Sequence, residues 1–156
     1  MEKTYYLSPI GLIEVKGSEK GISHITFATE VNNIIENPPC LRECVSQLHD
    51  YFSGKRKKFN LALDIEGSDF QKKVWNQLLK VQYGKTQTYH DMAKGIENIK
   101  AVRAVGHALG CNPISIVIPC HRIIGSNGKL VGFAGGLWRK SWLLQHENKD
   151  IQGELF

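Results

Sequence analysis

The chain has 156 residues, a formal net charge of +5 at pH 7 and 42% hydrophobic residues, so it can bury a core in one or two small domains without disulfides or a structural metal. No apolar run approaches the length of a membrane span and no secretory apolar region follows Met1, which argues against a membrane protein and predicts a cytoplasmic one, or a nuclear one in a eukaryote. The basic charge favours a polyanionic partner but does not by itself establish one.

The first part of the sequence is typical of a small sheet followed by a helix. Residues 10–15 and 21–27 are β-rich, and the turn-forming residues 17–20 separate them, which predicts a hairpin. After Pro38 and Pro39, apolar residues recur at helical spacing, and Leu61 to Ile65 predict a further strand. The residues of the expected helical stripe are Leu41, Val45, Leu48 and Phe52.

Two features of this first lobe have ordinary structural interpretations. Cys40 and Cys44 lie one helical turn apart, and we favour thiols on a buried helix because a metal site would need two more ligands. The basic run over residues 55–58 is either a solvated loop or a phosphate contact, with the loop favoured. We therefore predict reduced cysteines and no metal.

The composition changes after this basic run, which predicts one lobe over residues 1–66 and a helical lobe over residues 67–156. Ser68 and Gln71 have the spacing of a capping box at the start of a helix, and Gly84 is a plausible terminator. The buried stripe of that helix is expected to contain Phe70, Val74, Trp75, Leu78 and Leu79.

Two short helices joined by a turn follow, and this arrangement suggests a helix-turn-helix. Thr88 and Asp91 form a second potential capping box, and the helix that they begin is expected to end near Gly95. The next helix is expected from Ile99 to Leu109. Its basic face would carry Lys100, Arg103 and His107. Its small residues, Ala104, Gly106 and Ala108, suit either close approach to a DNA groove or tight helix packing.

The strongest chemical signal is Cys120, which follows the apolar residues 114–118 and precedes His121. The apolar residues would be buried and would fix the thiol in place. A thiolate is a good nucleophile, and a neighbouring imidazole can act as its base, directly or through water. From these residues alone, a nucleophile and an inert buried thiol are equally acceptable interpretations.

The motifs around this cysteine resemble those of the O6-alkylguanine-DNA alkyltransferase family. They are Arg103-Ala104-Val105-Gly106, Asn112-Pro113, Ile118-Pro119-Cys120-His121-Arg122-Ile123 and Gly135-Gly136. The resemblance runs without a gap from about Phe70 to Glu147, and the order and spacing of the motifs are more specific than any one of them. It implies an α+β fold with a ribonuclease-H-like lobe of sheet and helix, followed by a winged helix-turn-helix-like lobe that carries the active site.

The resemblance also implies the reaction. The Cys120 thiolate would attack the alkyl carbon on O6 of guanine in double-stranded DNA, or on O4 of thymine, and leave an S-alkylcysteine. A thioether has no ready hydrolytic exit, so one protein molecule would repair one lesion. No cofactor is implied, and a monomer is expected.

The same resemblance assigns roles to side chains around Cys120. Glu147 would orient His121, which would take the thiol proton through water. Tyr89 would assist protonation of the leaving guanine, Asn112 would brace the active-site segment, and Lys140 would favour the thiolate. By residue type alone, Glu147 and Lys140 would be interpreted as exposed helix charges.

Further positions match DNA-binding and pocket residues of the family. Arg103 would fill the gap left by an extruded base. The other expected DNA contacts are Lys100, Ala104, Tyr89 and Arg122, and the expected pocket residues are Leu109, Phe133, Ala134 and Gly135. Phe133 and Ala134 stand where many relatives have tyrosine and serine, so backbone amides would have to replace a lost side-chain donor.

Two other functions compete with alkyl transfer. Alkyltransferase-like proteins bind alkylated lesions without accepting the alkyl group, but they lack the cysteine that this chain has at position 120. A cysteine hydrolase could use the same Cys-His-Glu set, and multiple turnover on an ester would identify it.

Overall fold

The computed structural model describes residues 1–31 and 36–148, and the fold is α+β. The chain divides into two compact units, Met1–Glu66 with Pro113–Ser115, and Gly67–Asn112 with the chain from Ile116 onward. The division predicted at residue 66 places residues 113–115 in the second lobe, whereas their contacts place them in the first unit. Residues 149–156 of the predicted second lobe lie outside the described residues. Within the described ranges, no helix is long and apolar enough to cross a membrane.

The first unit contains a three-stranded antiparallel sheet, not the two-stranded hairpin that we predicted. The strands are β1 (Glu2–Ser8), β2 (Gly11–Ser18) and β3 (Gly21–Phe27), in the order β1-β2-β3. β1 gives no clear alternating signal because its buried residues are the polar Thr4 and Ser8, while Leu7 is 76% exposed. Two residues of the expected turn, Gly17 and Ser18, instead extend β2, and the register shifts at Gly17.

Helix α1 (Pro39–Phe52) packs on the sheet of the first unit. Leu41, Leu48 and Phe52 are buried as predicted, but Val45 is half-buried. The thiol of Cys44 fills part of the core, where burial raises its pKa to about 12. Cys44 is therefore a packing residue. The part of the chain that the structure describes contains no group of three or more His, Cys, Asp or Glu side chains placed to hold a metal ion.

The strand predicted over residues 61–65 is wrong. Only Leu63 forms a bridge, in parallel with Ile22 of β3. The Ile22 amide donates to the Ala62 carbonyl at 2.9 Å, and the Asp64 amide donates to the Ile22 carbonyl at 2.8 Å. The side chain of Gln47 bonds to both backbone groups of Asn60, so these groups are paired with a side chain and not with a neighbouring strand.

The segment Pro113–Ser115 also pairs with β3 in the first unit. The Ile25 amide donates to the Pro113 carbonyl at 2.9 Å, and the Ser115 amide donates to the Ile25 carbonyl at 3.0 Å. Between them, the Ile114 side chain is fully buried. These three residues therefore satisfy backbone groups at the edge of β3.

The second unit begins with helix α2 (Asp69–Leu78), which the predicted capping box starts. The Ser68 hydroxyl accepts from the Gln71 amide at 3.1 Å, and the Gln71 side chain accepts from the Ser68 amide at 3.0 Å. Trp75 is buried and its indole N–H donates to the Ala108 carbonyl at 2.8 Å. Of the other predicted stripe residues, Val74 and Leu78 are buried, Phe70 is half-buried and Leu79 is 43% exposed.

Helix α2 ends at Leu78, so the predicted termination near Gly84 is wrong. The chain leaves the helix through a tight turn in which the Val81 amide donates to the Leu78 carbonyl at 2.9 Å. This turn buries the Val81 side chain and directs its carbonyl to Arg122, which donates to it at 2.7 Å. Tertiary contacts of Val81 therefore set the helix end.

The predicted helix-turn-helix is formed by α3 (Tyr89–Gly95) and α4 (Val102–Gly110), which pack on each other. Thr88 and Asp91 form the predicted capping box, with both hydrogen bonds at 3.0 Å. The helix expected from Ile99 instead begins with the 3-10 turn Ile99–Ala101. The remaining elements are the parallel strand pair β4 (Gln87–Thr88) and β5 (Ile123–Ile124), and helix α5 (Leu137–Asn148).

Candidate active site

The segment that leads to Cys120 is buried, as predicted, and tightly turned. Ile116 has a φ of 74°, a left-handed conformation that costs a β-branched residue about 1–3 kcal/mol. The Asn112 side-chain amide donates to the Ile118 carbonyl at 2.8 Å. Cys120–Arg122 then forms one 3-10 turn, with the Cys120 amide donating to the Ile118 carbonyl at 2.8 Å. Asn112 thus fastens the chain just before the thiol.

Cys120 is only 8% exposed. Burial raises the pKa of its thiol, while the Asn112 side chain, the Lys140 charge and nearby backbone amides act in the opposite direction without cancelling the effect. The resting form is therefore the thiol. A reaction of this sulfur with an electrophile requires a base to remove its proton.

His121, which follows Cys120, is fully buried and paired with a carboxylate. Its Nε2 lies 2.7 Å from Glu147 Oε2 on α5, so Nε2 is the donor, and in a neutral imidazole Nδ1 then has the free lone pair. Nδ1 is buried and has no hydrogen-bond partner among the residues of the described ranges. A buried acceptor of this kind can take a proton from the neighbouring thiol, directly or through one water molecule.

Glu147 is nearly fully buried and accepts hydrogen bonds from His121, Arg122 and the Gly84 amide. Burial would raise the pKa of its carboxyl, but the pairing with His121 and the hydrogen bonds and positive charge of Arg122 outweigh this effect and hold the pKa below its ordinary value. Arg122 Nε donates to Oε1 at 2.8 Å and Nη2 donates to Oε2 at 3.0 Å. The group is therefore a carboxylate at neutral pH.

Lys140 of α5 is a buried cation, not the exposed helix lysine that its residue type suggests. Its Nζ donates to the carbonyls of Ile123, Val131 and Gly132 at 2.5, 2.7 and 3.2 Å. Burial lowers its pKa to about 8, and a negative charge on the Cys120 sulfur opposes that shift when the thiolate forms. Lys140 therefore ties the loop before α5 to β5 and places a positive charge where it favours a Cys120 thiolate.

The Cys120 side chain lies in the wall of a cavity of about 100 Å³ in the second unit. The cavity is lined by Tyr89, Gly106, Leu109, Gly110, Cys120, Gly132, Phe133 and Ala134. The Tyr89 hydroxyl donates to the Val131 carbonyl at 3.1 Å, which holds its ring on the cavity wall. Three predicted pocket residues line this cavity, but Gly135 does not. Gly135 is buried, and its carbonyl accepts from Arg139 at 2.9 Å.

The predicted DNA contacts divide into exposed and buried residues. Lys100, Arg103 and Ala104 are exposed at the start of α4 and in the turn before it. Arg122 is 6% exposed, and its guanidinium is occupied by Glu147 and the Val81 carbonyl. The prediction that Arg122 contacts DNA is therefore wrong, because a buried arginine bonded in this way cannot reach a phosphate.

Comparisons with known proteins agree for both parts of the chain. The model of the 6-O-methylguanine DNA methyltransferase ribonuclease-like domain matches residues 1–65, and that of the DNA binding domain of the same family matches residues 69–149. A methylated-DNA–protein-cysteine methyltransferase of Methanosarcina barkeri is 48% identical over 151 residues, covering 93% of this chain and 96% of the relative. The chain belongs to the 6-O-methylguanine DNA methyltransferase family.

Other members of the 6-O-methylguanine DNA methyltransferase family support the fold and the activity. A methylated-DNA–protein-cysteine methyltransferase of Mycolicibacterium paratuberculosis is 42% identical over 153 residues, covering 95% of this chain and 93% of the relative. The structure of Mycobacterium tuberculosis OGT in complex with DNA matches with a TM-score of 0.88 and 38% identity, covering 96% of this chain and 94% of that one. The activity of this chain is direct-reversal DNA repair, in which an alkyl group passes to a cysteine of the protein.

Sequence reasoning missed several residues of this family site. Gly106, Gly110 and Gly132 line the cavity, and nothing in their local sequence predicts that position. The role of Arg122 beside Glu147 was also missed. A signal did exist, because an arginine inside an otherwise buried segment needs a carboxylate partner, and Glu147 was already assigned to the site.

Proposed function

We propose that Cys120 is the acceptor and that its substrate is O6-alkylguanine in double-stranded DNA. The observation that carries this proposal is the placement of Cys120 in the cavity wall, next to a fully buried His121 whose Nδ1 is an available base. O4-alkylthymine presents the same alkyl-oxygen bond and is the second expected substrate.

The transfer is a displacement at carbon. The Cys120 proton passes, through one water molecule, to His121 Nδ1, and the imidazolium is stabilised by Glu147. The sulfur forms a bond to the alkyl carbon as the bond from carbon to guanine O6 breaks. Tyr89, whose hydroxyl is at the cavity, donates the proton that makes guanine a neutral leaving group. Lys140 stabilises the negative charge on sulfur before attack.

The guanine can reach this cavity only if it leaves the base stack. Extrusion costs a few kcal/mol, and a side chain that fills the vacated space offsets part of that cost. Arg103 is exposed at the start of α4 and has the length and charge to do so. Lys100 is exposed one turn earlier and suits a phosphate contact.

Two further properties follow from the proposed reaction. The protein works as a monomer, because every group that the transfer uses comes from one chain. It acts where cellular DNA lies, in the cytoplasm or, in a eukaryote, the nucleus. Its four cysteines are free thiols, as in a reducing compartment.

Stoichiometry tests the proposal against a hydrolase and a lesion-binding protein. Duplex DNA with one O6-methylguanine is added in excess, and intact-protein mass is followed with time. We expect the chain to gain the mass of one methylene group and then to stop, because a thioether is not hydrolysed. Repeated release of methanol would indicate a hydrolase, and lesion binding without a mass change would indicate a lesion-binding protein.

Arg103→Ala separates base extrusion from DNA affinity. We expect the single-turnover transfer rate to fall about tenfold or more, because a few kcal/mol of extrusion cost is no longer offset, while the Kd for DNA rises only a few-fold. Rates are measured at saturating DNA, and Kd by fluorescence anisotropy at several salt concentrations. Lys100→Ala is the control, with weaker binding, a lower salt dependence and a nearly unchanged rate at saturation. An unchanged rate in Arg103→Ala would contradict the assignment.

A further inference from the structure

Arg122 occupies both oxygens of the carboxylate that orients His121. Its Nε and Nη2 form a fork on Glu147 at 2.8 and 3.0 Å, and its Nη1 donates to the Val81 carbonyl at 2.7 Å. The guanidinium lies 5.8 Å from the centre of the Tyr83 ring, and the side chain is 8% exposed. A fork of this kind fixes the plane of the carboxylate as well as its charge.

The charges in this network determine the state of His121. Glu147 and Arg122 form a buried pair with no net charge, so the network is neutral when His121 is neutral. Without Arg122, the imidazolium of His121 would be the nearest counter-charge for the buried carboxylate. An imidazolium carries protons on both nitrogens and cannot accept another.

We propose that Arg122 is a positioning residue of the alkyl transfer, which keeps His121 neutral in the resting protein, with the Nε2 proton on Glu147 and Nδ1 open as the proton acceptor. This inference rests on the proposed roles of Cys120 and His121. Arg122 is not among the residues that line the cavity, so its proposed effect on the reaction passes through Glu147.

The sign of the expected pH effect follows from the surrounding groups. The charged groups of this network are Glu147 on α5, which contacts His121, and Arg122 in the same turn, which contacts Glu147. Lys140 acts on the neighbouring Cys120, and the Tyr83 ring faces the Arg122 guanidinium. Removal of Arg122 leaves Glu147 as the uncompensated charge, which favours the imidazolium. The base is then protonated up to a higher pH, and the acid limb of the rate profile moves toward higher pH.

Arg122→Gln tests this proposal, with Arg42→Gln as the control because Arg42 is exposed on α1 and its side chain donates to the Asn37 carbonyl. Single-turnover transfer from O6-methylguanine duplex is measured between about pH 5 and pH 9, and nitrogen-15 NMR of the histidines reports their tautomer and protonation. We expect the acid limb to move up by about one pH unit, so that the variant is about tenfold slower on that limb and recovers at higher pH. The control should keep the wild-type profile.

The second readout separates a positioning role from a structural one. Wild-type protein should show a neutral His121 with its proton on Nε2, and Arg122→Gln should show an imidazolium at neutral pH. Arg122→Gln combined with Glu147→Gln should return His121 to the neutral form, because the uncompensated charge is gone. A uniformly lower rate at every pH, with an unchanged His121 tautomer and titration, would overturn the proposal.

A second variant and the NMR readout keep the test of Arg122 decisive. If Arg122→Gln does not fold, Arg122→Lys keeps the charge that compensates Glu147, and His121 should stay neutral with its proton on Nε2 as in the wild-type protein. An imidazolium at neutral pH in Arg122→Lys would overturn the proposal. Because the NMR readout needs no DNA, absence of alkyl transfer in wild-type protein would refute the proposed function while the state of His121 is still measured.

Discussion

Cys120→Ser should lower the alkyl-transfer rate by at least about a thousandfold, because a serine hydroxyl is far less acidic and less nucleophilic toward carbon than a thiol. The variant should still bind duplex DNA that contains O6-methylguanine, since the exposed residues at the start of α4 are unchanged. It would then behave as a lesion-binding protein. Transfer is measured by intact mass, and binding by anisotropy with the same duplex.

Peptide mapping and a second cysteine variant make this result specific to Cys120. Cys111 is exposed, whereas Cys120 is 8% exposed, so simple accessibility would place an alkyl group on Cys111. We expect wild-type protein to carry the methyl group on Cys120 alone. Cys40→Ser, in the first unit, should react at the wild-type rate. Methylation of Cys111, or persistent transfer in Cys120→Ser, would show that the acceptor is another residue.

Lys140→Met should slow transfer about ten- to a hundredfold near neutral pH, because the Cys120 thiolate loses its nearby positive charge. The variant also loses three hydrogen bonds of Lys140, two to carbonyls of the loop before α5 and one to the Ile123 carbonyl. Methionine keeps the length and the apolar stem of lysine, so a change in packing should contribute little to the change in rate. Lys129→Met, at an exposed position in the same loop, should leave the rate unchanged.

The pH profile identifies the charge as the cause. Lys140 is protonated below its pKa of about 8, so its help to the thiolate is present below that pH and is lost as the pH rises through it. The wild-type rate should therefore flatten above about pH 8, although more thiol ionises there. The rate of Lys140→Met should keep rising with pH. If both proteins flatten at the same pH, another group is responsible.

The sequence correctly predicted the features that local interactions determine. Both capping boxes, Ser68 with Gln71 and Thr88 with Asp91, join residues three apart and formed as expected. The predicted end of α2 was wrong because tertiary contacts of Val81, and not the local sequence, determine where the helix ends. Strand β1 was missed because its inward residues are polar, which removes the alternating apolar pattern on which strand prediction depends.

The site shows the same division between local and distant interactions. Family motifs identified Cys120, His121 and Glu147, and the structure brings His121 and Glu147 within 2.7 Å. By residue type alone, Lys140 would be interpreted as exposed, and Arg122 was assigned to DNA. Both charges are buried, and each has partners outside its own helix or turn. Lys140 donates to the carbonyls of Ile123, Val131 and Gly132, and Arg122 donates to Glu147. Residue type gives the cost of burying a charge, but not the partner that offsets it.

The pairing of residues 113–115 with β3 bears on how such proteins can be recombined. A chimera that joined residues 1–66 of one relative to residues 67–156 of another would look like a clean exchange of two domains. It would in fact replace Pro113–Ser115, which form two backbone hydrogen bonds with Ile25 and bury Ile114 in the first unit. These residues end five positions before the reactive thiol, so an exchange that keeps them with their native β3 should preserve the acceptor segment better than one cut at residue 66 alone.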